Sequence, residues 1–268
     1  MTVLLLAGCA SLLSEREQAE KIGLNSGLTA TTLQMPRFPI FAQTRINQPG
    51  QAINIYIEGD GDAWLSRHQV SSDPTPVNPL ALKLAGLDPA PNVVWLARPC
   101  QYVLAASPNC RAEHWSTQRY SRELVVALNA AISQIKTRAG AEQLNLIGYS
   151  GGATMALLIA AQRNDIASVR TIAGNLDPEA FTRHHQVTPL APESNPLRHA
   201  EVLAKIPQIH WFGQNDNTIP PPLANRYANA VGQGNCTRLQ TVANATHSSG
   251  WEKRWIDFLN TPLPCAAR

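Results

Sequence analysis

The sequence has few charged residues and no long hydrophobic run. Asp, Glu, Lys and Arg make up 15% of its 268 residues, against about 25% in an average soluble domain. The 22 basic and 19 acidic residues leave a net charge of only +3, and they are scattered, which argues against a nucleic-acid partner. No apolar stretch reaches the roughly 18 residues of a transmembrane helix. The composition is also not that of a disordered, charged tail.

The chain does contain enough apolar residues for one sizeable core. Hydrophobic residues account for 44% of the sequence. At about 150 residues per domain, the length fits one large domain or two small ones. No linker, repeat or low-complexity segment is visible. We therefore expect a single domain over residues 10–268.

Cysteine is scarce, and four of the five cysteines lie far from the N-terminus. These four allow three disulfide connectivities. The pairs that close the shortest loops are Cys100–Cys110 and Cys236–Cys265, and we predict these. None of the four lies in a C-x-x-C pattern, and no Cys and His residues have zinc-site spacing, so the sequence predicts no metal site. Two disulfides would indicate an oxidising compartment.

Short apolar runs that are rich in β-branched residues predict the strands. Their near-continuous apolar character is typical of parallel strands that are buried on both faces. The runs are residues 52–58, 93–97, 143–149, 169–174, 208–213 and 237–242. Residues 28–46 hold two weaker runs, which predict an antiparallel hairpin at the start of the sheet.

Helical patterns alternate with these runs. They cover residues 121–138, 152–163, 222–231 and 251–260. The alternation predicts an α/β fold, in which a doubly wound, mostly parallel sheet has helices on both faces. Three long, proline-containing stretches, residues 62–92, 99–120 and 177–206, follow strand ends. Ligands bind at this edge of open α/β sheets, so we expect these stretches to shape a site.

Residues 148–152 form a G-x-S-x-G motif centred on Ser150. A predicted buried strand precedes the motif and a predicted helix follows it. This is the setting of a nucleophile elbow, a strained turn that projects the serine hydroxyl clear of the sheet. Gly151 would then present its N–H at the helix N-terminus, where it can stabilise an oxyanion.

The motif and its setting resemble the α/β-hydrolase superfamily. In that family the catalytic residues follow the order Ser, Asp or Glu, then His. Of the seven histidines, only His247 follows Ser150 with a candidate acid loop between them. Asp216 lies in that loop, in a stretch similar to the family's G-x-x-D-x-x-[VI]-P pattern. The resemblance implies a Ser150–His247–Asp216 triad.

Asp177 is the alternative acid, because some family members use the position after the preceding strand. Pro178 follows it at what would be the first position of a helix. This arrangement favours a second interpretation, in which Asp177 is a helix N-cap.

The second oxyanion donor is expected after the strand at residues 52–58. Residues 58–61 resemble the family's H-G-x-G loop, with Glu58 in place of His. The resemblance implies that the Asp60 N–H is the donor, with Gly61 as the alternative. The nearby carboxylates would oppose an oxyanion unless a cation offsets them. We expect Arg98 or Arg67 to offset Glu58.

The resemblance implies a serine hydrolase that cleaves a carboxylic ester through an acyl-enzyme and needs no cofactor. The substrate would be a small-molecule or polymer-linked ester. A peptidase or amidase of the same fold, or a non-catalytic binding protein on this scaffold, are the alternatives. Residues 177–206 are too few for a helical cap domain, so we expect a half-open site. Trp64, Tyr102, Trp115 and Trp211 are candidate lining residues, although each is typical of a core.

The first nine residues resemble a truncated bacterial lipoprotein signal. Leu6-Ala7-Gly8-Cys9 is similar to a lipobox. The resemblance implies acylation of Cys9, a membrane tether and an exported protein, periplasmic or anchored in the outer membrane. A buried apolar N-terminal arm is the alternative.

Overall fold

An eight-stranded sheet crosses the part of the chain that the computed structural model describes, residues 13–232 and 236–266. Cys9 and its predicted acylation therefore lie outside the described residues. The strands of this sheet and of a small hairpin are β1 (Thr29–Leu33), β2 (Ile40–Ile46), β3 (Ile53–Ile57), β4 (Trp64–Ser66), β5 (Gln69–Val70), β6 (Asn92–Leu96), β7 (Leu144–Tyr149), β8 (Ile166–Ile172), β9 (Gln208–Gly213) and β10 (Thr237–Val242).

The large sheet is mostly parallel. Its strand order is β1-β2-β6-β3-β7-β8-β9-β10, and β4 pairs with β5 in a separate hairpin. β2 is antiparallel to both β1 and β6, whereas the pairs from β6 to β10 are parallel. The six predicted strands and the starting hairpin are thus confirmed, and the strand ends agree to within a few residues.

The four predicted helices are present as α3, α4, α7 and α8, whereas α1, α2, α5 and α6 were not among the predicted helical patterns. Ser14 and Glu17 form a capping box at the start of α1, a signal that the sequence does carry. α2 lies inside the proline-containing stretch 62–92, and Pro79 at its N-cap offers no side-chain acceptor. The helices are α1 (Glu15–Leu24), α2 (Leu80–Leu87), α3 (Arg122–Ala139), α4 (Gly151–Ala160), α5 (Pro178–His185), α6 (Ala200–Leu203), α7 (Asn225–Val231) and α8 (Trp255–Leu259).

The core forms two apolar layers, one on each face of the sheet. One layer holds the buried faces of α3, α4, α6 and α7. The other holds those of α1, α2 and α8. Successive residues of β3 alternate between the layers: Ile55 and Ile57 contribute to the first and Tyr56 to the second. Within the described residues, no helix is both long and apolar enough to cross a membrane.

Both predicted disulfides are present. Cys100 pairs with Cys110 and closes a loop with a sequence separation of 10 residues. Cys236 pairs with Cys265 across a separation of 29 residues. The first bridge lies in the segment that follows β6, and the second ties the start of β10 to the segment after α8.

We expect the longer loop to give the larger stabilisation, because closing it removes more entropy from the unfolded chain. The loop-entropy relation gives about 3.6 kcal/mol for Cys236–Cys265 and about 2.7 kcal/mol for Cys100–Cys110. Urea unfolding of the two Cys→Ser double variants measures both losses. A larger loss for the Cys100/Cys110 variant would contradict the loop-length account.

Candidate active site

The turn between β7 and α4 holds Ser150 in an uncommon backbone conformation. Its φ is 51° and its ψ is −120°, a positive-φ conformation that is costly for a residue with a side chain. Surrounding hydrogen bonds hold it there. The Ser150 N–H donates to the Ile172 carbonyl at 3.0 Å, and the Ser150 carbonyl accepts from the amides of Asn175 and Ala153. The turn therefore has the geometry of a nucleophile elbow.

The glycines around Ser150 allow α4 to approach the sheet. A Cβ at Gly152 would lie 2.2 Å from the Ile57 carbonyl oxygen at the end of β3. A Cβ at Gly148 would lie 2.5 Å from Cα of Ala153. Both distances are far below van der Waals contact, so any other residue would force the helix away from the strand. The motif thus brings Ser150 close to the loop that follows β3.

A chain of hydrogen bonds joins Ser150, His247 and Asp216. His247 Nε2 lies 2.9 Å from Ser150 Oγ, and His247 Nδ1 lies 2.9 Å from Asp216 Oδ2. In the tautomer that carries its proton on Nδ1, the imidazole donates to Asp216 and accepts from the Ser150 hydroxyl. The structure therefore brings together the three residues that sequence order selected. Their arrangement is suited to activating a serine hydroxyl as a nucleophile.

Asp216 is buried and has a full set of donors. Its Oδ1 accepts hydrogen bonds from the amides of Thr218 and Ile219, both at 2.8 Å. Burial alone would raise the pKa of the Asp216 carboxyl, but the hydrogen bond and charge of His247 and these two amides lower it below its ordinary value. The carboxylate thus stays ionised at neutral pH and orients the imidazole.

The loop that carries His247 is fixed to its neighbours. The Trp251 indole N–H lies within hydrogen-bond distance of the carbonyls of Thr246 and His247, at 3.1 and 3.2 Å. The Asn215 amide donates to the Ala245 carbonyl at 2.9 Å, which ties the acid loop to the histidine loop. His247 and Asp216 therefore keep their relative positions through backbone contacts as well as through their own hydrogen bond.

Asp177 is engaged away from His247. Its Oδ1 accepts from the Ala180 amide at 3.1 Å and from Asn195 Nδ2 at 2.9 Å. Its Oδ2 lies 3.4 Å from a guanidinium nitrogen of Arg226. Asp177 is thus the N-cap of α5, with Pro178 at the first helical position, as the second interpretation of the sequence has it.

Asp60 and Gly151 lie at the same cavity as Ser150. Both residues line it, as does the alternative donor Gly61. Among the described residues, neither the Asp60 amide nor the Gly151 amide donates a hydrogen bond to a protein acceptor. Two unpaired amides beside a serine hydroxyl can receive a developing oxyanion.

The side chain of Asp60 is held by two arginines and a tyrosine. Its Oδ1 accepts from Arg98 Nη1 at 2.8 Å, and its Oδ2 accepts from the Tyr120 hydroxyl at 2.9 Å. Arg119 Nε lies 3.1 Å from Oδ2. Burial and the charge of Asp60 raise the pKa of the Tyr120 hydroxyl, so it stays a donor. These contacts neutralise the carboxylate that lies closest to the elbow.

The expected pairing of Glu58 with an arginine is wrong. Arg98 pairs with Asp60 instead, and Arg67 donates to the carbonyl of His185. Buried Glu58 accepts from N–H groups only: the amides of Gly59, Ala81 and Leu82 and the Trp95 indole, at 3.0 to 3.4 Å. Burial raises the pKa of its carboxyl despite these donors.

Glu58 therefore has a role that its position in the sequence does not reveal. The amides of Ala81 and Leu82 belong to the first turn of α2, where no N-cap side chain accepts from them. The Glu58 carboxylate takes the place of that cap from the loop that follows β3. Arg119 and Tyr120 were likewise missed, because nothing in the spacing of the 99–120 stretch connects them with Asp60.

The catalytic cavity has a volume of about 400 Å³. Ser150, His247 and Gly151 line it together with three acidic residues, Glu58, Asp60 and Asp62. Phe181 of α5 also lines it. Of the predicted lining aromatics, Tyr102, Trp115 and Trp211 are buried in the core, whereas Trp64 is 43% exposed and lines a neighbouring cavity.

Sequence comparison finds no relative: no protein-family model matches the chain, and no curated protein sequence matches it. Solved structures do match. An α/β serine hydrolase from Xanthomonas campestris, described as lacking a lid, is 16% identical with a TM-score of 0.56, over 87% of this chain and 90% of that one. Est1E from Butyrivibrio proteoclasticus is 12% identical with a TM-score of 0.58, over 86% and 97%.

A larger protein shares the same region. The acylaminoacyl peptidase of Pyrococcus horikoshii is 11% identical with a TM-score of 0.59, over 88% of this chain but only 42% of that one. Proteins described as a serine hydrolase and as a peptidase thus share the architecture. The strand order, the elbow between β7 and α4 and these likenesses together show that the chain has the α/β-hydrolase fold.

Proposed function

We propose that the protein is a serine hydrolase that cleaves a carboxylic ester through an acyl-enzyme. The observation that carries the proposal is the hydrogen-bonded chain from Ser150 through His247 to Asp216, with 2.9 Å at each step. Ser150 lies in the elbow turn and lines a cavity of about 400 Å³. The likeness to solved serine hydrolases supports the fold on which this chemistry rests.

In the proposed reaction, His247 Nε2 takes the proton of the Ser150 hydroxyl as its Oγ attacks the acyl carbon. Asp216 holds the tautomer and stabilises the imidazolium that forms. The amides of Gly151 and Asp60 hold the oxyanion of the tetrahedral intermediate. The imidazolium then protonates the leaving alkoxide, and the C–O bond breaks. Water, activated by the same imidazole, releases the acid from Ser150.

An amide or peptide substrate is the second candidate. It is favoured by one observation, the presence of peptidases among the structures of the same architecture. A triad does not distinguish an alcohol from an amine leaving group. Matched pairs such as p-nitrophenyl acetate and p-nitroacetanilide separate the two, and we expect the ester to be cleaved and the anilide to be left intact.

We also propose that the protein is exported. The two disulfides support this, because such bridges persist in oxidising compartments such as the bacterial periplasm. Lipidation of Cys9 would add a membrane tether, and mass spectrometry of the protein from membranes of a bacterial host tests it.

A fluorophosphonate probe should label Ser150 in the folded protein. The probe reacts with a serine only when a neighbouring base activates the hydroxyl, which is the arrangement of Ser150 and His247. Peptide mapping by mass spectrometry locates the label. We expect labelling to disappear in Ser150→Ala and to fall by at least about a thousandfold in rate in His247→Ala.

The decisive control is a circular dichroism spectrum of each variant, which shows that the fold persists. The hydrolase proposal would be contradicted if the folded wild-type protein stays unlabelled and leaves short p-nitrophenyl esters intact. That result would favour the alternative hypothesis, in which the protein is a non-catalytic binding protein.

The two candidate acids allow a matched test. Asp216→Asn should lower kcat by about 10³- to 10⁴-fold, because an amide at this position favours the wrong tautomer of His247. Asp177→Asn should lower kcat by less than about tenfold, since Asp177 caps α5 and does not touch His247. Initial rates with p-nitrophenyl acetate measure both. Equal losses in the two variants would contradict the assignment of Asp216.

A further inference from the structure

A second cavity of about 770 Å³ lies beside the catalytic cavity. The β4–β5 hairpin, residues of the 99–120 stretch, and α5 with the segment after it surround it. None of its lining residues belongs to the proposed catalytic triad or supplies the proposed oxyanion amides. The cavity is therefore open to a part of a ligand that lies away from the reacting bond.

The two cavities share a wall. Phe181 of α5 lines both of them. The His185 ring lies against the Phe181 ring, with 4.5 Å between centroids, and its Nε2 is 2.8 Å from the carbonyl oxygen of Thr218. Thr218 itself lines the catalytic cavity. A substrate that passes Phe181 would thus reach the second cavity directly from Ser150.

The two cavities have opposite charge. Glu58, Asp60 and Asp62 line the catalytic cavity, which contains no Lys or Arg. The second cavity is lined by Arg67 and Arg119 and by three histidines, with no Asp or Glu among its lining residues. Arg119 is already paired with Asp60, so the uncompensated groups are Arg67 and the histidines.

Arg67, His68 and His184 have side-chain nitrogens that are not used in hydrogen bonds within the described part of the chain. Among the described residues, Arg67 makes no ion pair, and its one side-chain hydrogen bond runs from Nη2 to the His185 carbonyl at 2.8 Å. The rings of His68 and His184 likewise make no hydrogen bond to any described residue. The His184 ring contacts that of His185. A guanidinium with unused N–H groups is a good partner for a carboxylate, which it can bind at two points.

The rest of the lining is apolar or aromatic. Trp64 is 43% exposed, an unusual state for a large ring in a folded domain. Phe181, Val187 and Leu190 complete this surface. The cavity thus combines an apolar surface for a hydrocarbon or aromatic segment with a cationic edge for a charged end.

We propose that the second cavity binds the distal end of an anionic ester, in which an apolar or aromatic segment links the scissile ester to a carboxylate. The assignment of the ester rests on the proposed function. The segment would lie against Trp64 and Phe181, and the carboxylate would pair with Arg67 beside His184. Asp62 lines the catalytic cavity and makes no ion pair among the described residues, so it would repel an anion there and favour this orientation of the ligand.

Substrate pairs that differ only in charge test the proposal. On the alcohol side the pair is 4-acetoxybenzoate and its neutral amide, 4-acetoxybenzamide. On the acyl side it is the p-nitrophenyl monoester of adipic acid and the corresponding adipamate. After subtraction of spontaneous hydrolysis, we expect kcat/KM to favour the carboxylate by about fivefold or more in at least one pair. The preference should shrink in 0.5 M salt, because the contact is partly exposed.

Variants connect the preference to the cavity. In Arg67→Gln/His184→Gln the ratio of kcat/KM between carboxylate and amide should fall towards one. Arg138→Gln is the matched control, because Arg138 is exposed near the end of α3 and lies outside both cavities. It should keep the wild-type ratio. The absence of a preference in both pairs, or its persistence in the double variant, would overturn the proposal.

A binding measurement keeps this test independent of catalysis. The Ser150→Ala variant lacks the nucleophile and cannot hydrolyse a substrate. Ligand-observed NMR titration of this variant with 4-acetamidobenzoate and 4-acetamidobenzamide therefore measures binding without catalysis. Tighter binding of the carboxylate supports the anion site even if no ester is cleaved. Cleavage of neutral esters, with no preference for the carboxylate in either assay, would support the hydrolase proposal and contradict the anion site.

Discussion

The close contact between the first turn of α4 and the end of β3 determines the rest of the site. The Ile57 carbonyl comes so near Gly152 that no side chain fits between them. This approach places the elbow at the end of β7 against the loop that follows β3. Ser150 and Asp60 therefore line one cavity, although they are far apart in the sequence. The positive φ of Ser150 is the local cost of this arrangement, and the hydrogen bonds of its backbone offset it.

The sequence carries more information about the scaffold than about the side chains that adjust the site. The parallel strands could be predicted because burial on both faces leaves continuous apolar runs. Ser150, Asp216 and His247 could be predicted because the resemblance to the α/β-hydrolase family implies the order of the three residues along the chain, and each of them follows a predicted strand. The disulfide pairing followed from loop length alone. Each of these signals is local or depends only on order along the chain.

The parts that were missed depend on contacts between distant segments. Nothing near Pro79 indicates a helix start, because the acceptor for the α2 amides is Glu58, contributed by another element. The prediction that Arg98 or Arg67 is the counterion of Glu58 was wrong for a related reason. A cation was needed near the acidic loop, but the sequence does not reveal which carboxylate faces it. Helix α1 is different, since its Ser14–Glu17 capping box was visible and was overlooked.

The hydrogen bonds around Glu58 restrict the motion of the loop that follows β3. They join the loop after β3, the indole of Trp95 in β6 and the start of α2 into one rigid block. Asp60, whose amide is the proposed oxyanion donor, follows Glu58 by two residues, so the block also holds the loop on which that amide lies. The wall of the second cavity differs, because residues 64–69 of the β4–β5 hairpin are exposed to solvent. We therefore expect the loop after β3 to keep its position when a ligand binds, and the hairpin beside the second cavity to adjust to it.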